Sequence, residues 1–547
     1  MSNSRSFVRR GLIFVAALLM SVAAAASGQR EFCPPVYEAG VIGPLNFTPA
    51  FTTIQKFNTP NGGKRDGLLM SSFFNSIKDP TGENVIGFFE DDLVARIENI
   101  AHVDPDTFDP NTDVERLTDL GPGPALTVWP NGVDRAPDGF VAFEAVVVPG
   151  GFHPTPPPGR LSIINLDDAG RQEYIVDQST QLPFPPFTCP FPVAEENAPR
   201  FYHQVRYVDM DQDGWLDLVT VRASFKVSGG FCLLALGEVV WFRNPGAAID
   251  PNTEWEENVL LGGLPPNLFE AEINMDVHDF EGDGVPEIIG THFFNGDQIT
   301  LYGAPLGQKW SDVDPIANPP RKKDINDDQG KPFEVEVIDL NRDGRDDILA
   351  SNHQGDDCFD VTADPIPGRV YALEQPDSGD IFNDDWTVRI LKDNIRPNPT
   401  FPEPSMGPGR LAPGRAKAFW PKRAHEGKKK PWIVVGGDEA SKVWLLKPKN
   451  ESRNNWEYKS AVLFDINDFY GPNASQSFTA PPPSQGNSIS TIGGQSVRYD
   501  APGPNGRAEI YVPVFEGRDI HKFSFRPQGP GTKVDCVDDV QIACPVP

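Results

Sequence analysis

The chain of 547 residues sets 48 Lys and Arg against 77 Asp and Glu, a formal charge of −29 with His neutral. A surface this acidic repels phosphate backbones and excludes nucleic acid as an expected partner. Beyond the N-terminal segment no run approaches the ~18 consecutive apolar residues of a membrane-spanning helix, so no transmembrane anchor is expected in the mature chain.

Arg5, Arg9 and Arg10 precede an apolar run from Gly11 to Ala26, which the small residues Ala26-Ser-Gly28 close. That order is a secretory signal peptide over residues 1–28. The mature chain, 29–547, is therefore expected to be secreted, or periplasmic in a bacterium; the residues around Arg9-Arg10 fit a twin-arginine signal poorly. Six cysteines in such a chain are compatible with disulfides. Cys33 lies near one end and Cys536 and Cys544 near the other, in pairings the sequence does not choose. Asn46-Phe-Thr48, Asn450-Glu-Ser452 and Asn473-Ala-Ser475 are acceptor sites for N-glycans in a host that makes them. Proline clusters in short inserts within 155–158, 183–192, 397–413 and 480–483, which punctuate the chain rather than divide it.

In chain order, Asp66-Gly-Leu-Leu-Met70 with Asn84-Val-Ile-Gly-Phe-Phe89 gives a first β-rich unit. Asp138 to Val148, Gly159 to Ile164 and Glu173 to Val176 give a second. The third contains Asp209-Met-Asp211-Gln-Asp213-Gly214-Trp-Leu-Asp217, which reads as a calcium loop. Acids at relative positions 1, 3, 5 and 9 converge hard oxygens on one hard cation, and glycine at position 6 permits the sharp turn. Asp279, Glu281, Asp283, Gly284 and Glu287 repeat the spacing, as do Asp339, Asn341, Asp343, Gly344 and Asp347. A helix-loop-helix site needs Glu at position 12, where Thr220, Gly290 and Ala350 stand. Strands flank each loop instead, with Leu218-Val-Thr-Val221, Ile288-Ile-Gly-Thr291 and Ile348-Leu-Ala350 following, so each loop is expected to be a metal-bound hairpin turn.

The third unit continues through Gly237 to Gly246 and Trp255 to Leu260, making four strands, and the Asp339 unit continues likewise through Gly368 to Leu373 and Trp386 to Leu391. The order recurs without acids at Trp432-Ile-Val-Val435, Lys442 to Leu446 and Trp456 to Tyr458, and at Ala508 to Val512 with His521 to Phe525. Second strands are thus expected near Leu68, Phe140, Leu216, Glu287, Asp347, Trp432 and Ala508, a period of about 60 to 85 residues. The prediction is an all-β fold, a single seven-bladed β-propeller with four-stranded blades and calcium-binding hairpin loops. Its blades are expected over 45–105, 120–180, 200–262, 270–312, 330–395, 410–466 and 488–545, since radial packing covers both faces of every sheet. The last blade lacks an evident fourth strand, which either Pro35-Val-Tyr37 or Lys533 to Val537 can supply.

The Asp209 loop, with Leu218-Val-Thr-Val221 and Val240-Trp-Phe-Arg-Asn-Pro-Gly246 after it, resembles the FG-GAP or VCBS repeat of integrin-α-like propellers. Three blades share the pattern. It is weak in blades one, two and six, and in the last blade Asp500 to Glu509 has one residue too many. The resemblance implies about three calcium ions on one face and says little about the ligand, since such propellers host adhesion modules, lectins and lyases.

On the opposite side, the first strands of the three calcium blades carry Gln204 and Arg206, Asn274 and Asp276, and Glu334 and Glu336. With His203, His292 and His353 they form the expected ligand funnel, in which histidines beside carboxylates can hold a second metal or shuttle protons. The plainer reading closes the funnel with ordinary polar residues, including an Arg206–Asp276 ion pair between blades. No serine triad, cysteine nucleophile signature or phosphate-binding glycine loop is evident. The expected function is a secreted, calcium-stabilised propeller that binds an extracellular carbohydrate or protein. The alternatives are a metal-assisted sugar lyase or dehydratase working in the funnel, and a structural component of an extracellular matrix.

Overall fold

The computed structural model describes residues 35–72, 77–78, 84–85, 93–118, 130–151, 159–178, 200–228, 231–262, 270–294, 296–326, 329–353, 367–396, 412–470, 494–514 and 517–526. Seven antiparallel sheets follow one another as the blades of a propeller. Blade one runs Pro49–Asn58, Lys64–Ser72, Leu93–Ile97 and Glu115–Arg116; blade two runs Asp134–Arg135, Ala145–Pro149, Arg160–Asn165 and Glu173–Gln178. Blade three splits its first strand into Arg200–Tyr202 and Arg206–Val208, then continues with Asp217–Ser228, Phe231–Arg243 and Glu256–Gly262. Blade four is Met275–His278, Glu287–Thr291, Ile299–Gly303 and Arg321–Asn326; blade five is Lys331–Ile338, Asp347–His353, Gly368–Glu374 and Thr387–Ile395. Blade six is Ala416–Phe419, Trp432–Gly436, Lys442–Pro448 and Tyr458–Asp465. Blade seven takes Ser496–Tyr499, Ala508–Val514 and Asp519–Ser524, and its outermost strand is Tyr37–Ile42 from the other end of the chain.

That last pairing closes the ring. Tyr37 sits opposite Ser524 and Ile42 opposite Ile520, so the N-terminal segment is the closing strand. Lys533 to Val537, Cys33, Cys536 and Cys544 lie outside the described residues, as do the Pro-rich stretches within 183–192 and 480–483.

Each blade must bury two faces, and seven apolar clusters between consecutive blades do this. Phe57, Leu69 and Val94 of blade one meet Val146, Val148 and Ile164 of blade two. At the closing seam Ile42, Tyr511 and Ile520 meet Leu68, Met70 and Ala95. The seams between blades two and three, three and four, four and five, five and six, and six and seven are built alike. Sheets approach closely where a side chain would intrude: a Cβ on Gly237 would lie 1.9 Å from the Glu270 carbonyl oxygen.

Four expected boundaries shift. Blade two's second strand begins at Ala145, not Phe140, because Gly139 takes φ 86° and turns the chain there. Phe140 N–H then bonds the Pro137 carbonyl at 3.2 Å, and its buried ring packs on Tyr207 and Trp255. Among the described residues Asn84–Val85 pairs with Ile77–Lys78 alone, and the third strand of blade one is Leu93–Ile97. Blades one and four also reach further, to Arg116 and Asn326.

Candidate functional site

The hairpins between first and second strands place the three acidic loops. In each, the leading aspartate accepts backbone N–H bonds from positions 5 and 6: Asp213 and Gly214 to Asp209, Asp283 and Gly284 to Asp279, and Asp343 and Gly344 to Asp339, at 2.9 to 3.1 Å. Gly214, Gly284 and Gly344 take φ of 96°, 84° and 93°, which favours glycine. The position-9 acids point inward. Asp217 accepts from Met210 N and Asn244 N at 2.9 and 2.8 Å, Glu287 from Phe280 N at 2.9 Å, and Asp347 from Leu340 N at 3.0 Å. Burial raises their pKa values, to about 6 for Asp217, about 8 for Glu287 and about 7 for Asp347. A cation among them restores the charged form.

The loops differ in how ready they are for a metal. Asp209, Asp211 and Asp217 each bring a ligand oxygen within 4.8 Å of the others, a donor set of hard oxygens that fits calcium. Asp213 accepts from Trp215 N at 2.9 Å, and the Arg243 guanidinium pairs with Asp211 at 2.8 Å and lies 3.3 Å from Asp213, so this loop too has a protein cation at its edge. In the Asp279 loop the Arg321 guanidinium takes both oxygens of Glu281, at 2.9 and 2.6 Å, and stands 3.7 Å from Glu287. A protein cation thus occupies the middle of that acid set. In the Asp339 loop Asn341 Nδ2 donates to Asp343 and to Glu374, both at 3.3 Å. The sequence pattern made the three loops alike; Arg321, about 40 residues downstream on the outer strand, was invisible to it.

Six of the nine funnel residues come together on the inner strands. Arg206 Nε donates to Asp276 at 2.8 Å, and Asp276 accepts from Val337 N of blade five at 3.1 Å. Gln204, with its amide oriented by its neighbours, accepts from Arg206 and donates to the Asn274 oxygen at 2.5 Å. Asn274 Nδ2 donates to Glu334 at 2.6 Å, and Arg415 of blade six donates to the other Glu334 oxygen at 3.1 Å. Glu336 accepts from Ala418 N at 2.8 Å and lies 3.5 Å from Lys417 Nζ. These bonds run from blade three to blade six, so each polar side chain ties its blade to the next. Sequence reasoning missed Asp134, Arg415 and Lys417; Asp134 is raised by burial, opposed by Arg206, Arg415 and Lys417. Its strand, Asp134–Arg135, is too short to show alternation.

The histidines go elsewhere. His203 stands one position before Gln204, where blades four and five carry Ile273 and Phe333. His353, six residues past Asp347, matches Phe293, six past Glu287. Phe201, Ala223, Ile273, Phe293 and Phe333 form one apolar cluster, with Phe51 and Phe294 against it. His353 stacks on Phe333 at 4.2 Å, and His203 packs edge-on to Phe51 and Phe333. Burial pushes both imidazoles down to about 3. His292 is one residue out of phase, so its side chain leaves the opposite face of its strand. Its Nε2 meets Thr300 Oγ1 at 2.9 Å and Tyr302 OH at 3.2 Å within blade four, and its pKa falls to about 4. Arg222 holds the same phase as His292 and pairs with Glu238 at 2.7 Å and Asp177 at 3.3 Å. Neutral, buried imidazoles with pKa values this low are weak proton acceptors at neutral pH.

No family model matches the sequence, and no curated protein matches it. Among solved structures the chain is similar to a mutant α-L-arabinofuranosidase of Fusarium graminearum in complex with an iminosugar inhibitor. The TM-score is 0.39 at 10% identity, over 90% of this chain and 97% of that one. It is also similar to the α-L-arabinanase of Cellvibrio cellulosa, TM-score 0.30 at 13% identity, over 63% and 99% of the two chains. A puromycin-hydrolyzing peptidase of Mycobacterium tuberculosis gives TM-score 0.31 at 11% identity, over 71% and 44%.

Proposed function

We propose that this protein is an extracytoplasmic, calcium-stabilised propeller that holds a carbohydrate or protein ligand without transforming it. One observation carries the reading: the polar groups of the inner strands are committed to one another across blades three to six. Groups so committed serve as struts between blades. The His203 and His353 rings pack against phenylalanines, and His353 Nε2 lies 3.9 Å from the buried Asp438 carboxylate, a contact this reading takes as structural. The Asp209, Asp211 and Asp217 oxygens, within 4.8 Å of one another, are the residues that would hold calcium. Bound there, the ion neutralises like charges that otherwise repel.

The test is a saccharide and protein array on calcium-loaded protein, followed by mass analysis of whatever is retained. The reading expects a ligand recovered chemically unchanged. Turnover of a retained saccharide, lost together with a stoichiometric zinc or manganese when His203 and His353 are replaced, would overturn it in favour of a metal-assisted lyase or dehydratase.

A further inference from the structure

The hairpin between the first two strands of blade six breaks the acidic rule of its neighbours. Where blades three to five carry their acidic loops, blade six carries Trp420-Pro-Lys-Arg-Ala-His-Glu-Gly-Lys-Lys-Lys-Pro431. Lys422, Arg423, Lys428, Lys429 and Lys430 there face a single acid, Glu426, in a chain of formal charge −29. Like charges gathered this closely repel one another, and an anion among them relieves that repulsion.

The hairpin is held in a definite shape. Lys422 bridges to Arg507 of the blade seven hairpin, Arg423 N donates to the Gly506 carbonyl at 3.0 Å, and Ala508 N donates to the Pro421 carbonyl at 3.1 Å. Trp420 Nε1 donates to the Lys429 carbonyl at 2.7 Å, which fixes the indole across the loop. Lys430 is turned inward, its Nζ bonding the Asn455 carbonyl at 2.6 Å.

What this leaves is a cavity of about 320 Å³ at the seam of blades six and seven, with Tyr37 of the closing strand also on its wall. That volume lies at the lower end of the range for small-ligand pockets. Trp420, Trp432, Tyr37 and Phe525 supply flat apolar faces, and Lys422, Lys429, Lys447 and Arg507 supply charge. Lys447 Nζ lies 5.5 Å over the Trp432 ring. Among the described residues, no carboxylate forms an ion pair with Lys422, Lys429 or Arg507. The one acid on the wall, Glu451, is engaged by Lys430 N at 2.9 Å and by Arg342 at 3.7 Å. The field inside is positive enough to be felt by His425, whose pKa is lowered by burial first and then by Lys429, Lys422 and Arg507, against Glu451.

We infer that this seam cavity is a binding site for an anionic sugar, a saccharide ring carrying a carboxylate or sulfate ester. Aromatic faces stack on the apolar C–H face of a pyranose, and the guanidinium of Arg507 with the ammonium groups of Lys422 and Lys429 pairs the acid group. A neutral sugar leaves the cations unmatched, and a simple anion leaves the aromatic walls unused. The inference rests on the reading of the protein as a ligand-binding propeller and gives that ligand a chemistry and a place.

The test is titration calorimetry on the full calcium-loaded protein at low and at physiological salt. Three probes serve: a hexuronate-containing disaccharide, the same disaccharide bearing a sulfate ester, and a neutral disaccharide of equal size. Binding of either acidic disaccharide is expected, weakening with salt, with the neutral one about tenfold weaker or more. The triple variant Lys422→Gln, Lys429→Gln, Arg507→Gln, which removes one exposed and two half-buried charges while keeping side-chain length close, should lose at least about tenfold for the acidic probes at a nearly unchanged melting temperature. Preference of the carboxylate over the sulfate, or the reverse, identifies the acid group. Equal binding of neutral and acidic probes overturns the inference. Acidic binding that survives the triple variant also overturns it, while leaving the ligand-binding reading intact with its site elsewhere. If none of the three probes binds, the inference falls and the wider reading passes to its own array.

Discussion

Arg206→Met tests the claim that the inner polar ring joins blades. The Arg206–Asp276 contact is 2.8 Å, and about a fifth of each side chain reaches solvent, 21% and 18%. At ~4 Å between charge centres and an effective dielectric of ~20, the attraction is about 4 kcal/mol. Partial exposure discounts this to about 2 to 3 kcal/mol. Removing Arg206 alone also strips a partner from Gln204 and leaves Asp276 with only backbone donors. The single variant should therefore lose about 3 kcal/mol of unfolding free energy, and Arg206→Met with Asp276→Asn should recover part of it. The assay is a double-mutant cycle by denaturant unfolding, with slope and midpoint fitted separately. A coupling energy below about 0.5 kcal/mol would refute the argument, because independent sites give values that small.

Further expectations concern the axis and the ring closure. His353 has a folded pKa of about 3 against an ordinary value of 6.5. Its contribution to stability is therefore present above pH ~6.5 and is lost as pH falls toward the folded value, by up to about 1.4 kcal/mol per pH unit. His353→Phe should flatten the fall of melting temperature between pH 6 and 4 relative to the parent, as followed by calorimetry at several pH values; equal slopes would show that the buried imidazole is not a source of acid sensitivity. Ile42→Ala, at a 1% exposed position in the closing seam, should cost about 2 to 4 kcal/mol in denaturant unfolding, and a change within error would show that Tyr37–Ile42 does not close the ring.

The blade count was legible because the second strand of each blade is buried on both faces and reads as a continuous apolar run, as Ile348-Leu-Ala350 does. The acidic loops were legible because the turn itself fixes spacing: the leading aspartate takes the N–H groups of positions 5 and 6, and position 6 needs a positive φ. The Phe140 boundary was not, since an apolar residue in a turn can still reach a core and carries the same letter as one in a strand. Nor was the choice of closing strand, because both ends offered plausible segments and only pairing with Asp519–Ser524 decides between them. Within the expected funnel, the contacts of the histidines turned on one step of parity. Gln204, Asn274 and Glu334 share a phase and meet, whereas His292 and His353, read as equivalent strand ends, differ by one residue and leave opposite faces. The basic hairpin of blade six was present in the letters, but its meaning required Arg507 and Tyr37 beside it, which only the closed ring supplies.

If calcium in the Asp209 loop stabilises the propeller, calcium titration of chelator-stripped protein followed by thermal unfolding shows it. Saturable uptake should raise the melting temperature, with about 2.7 kcal/mol gained at a free calcium concentration about a hundred times the dissociation constant. Asp211→Ala should abolish that increment. Asp346→Ala should keep it, because that carboxylate pairs with His278 at 3.0 Å. A melting temperature indifferent to chelator and calcium, with the Asp211 variant matching its parent in both, would contradict the account.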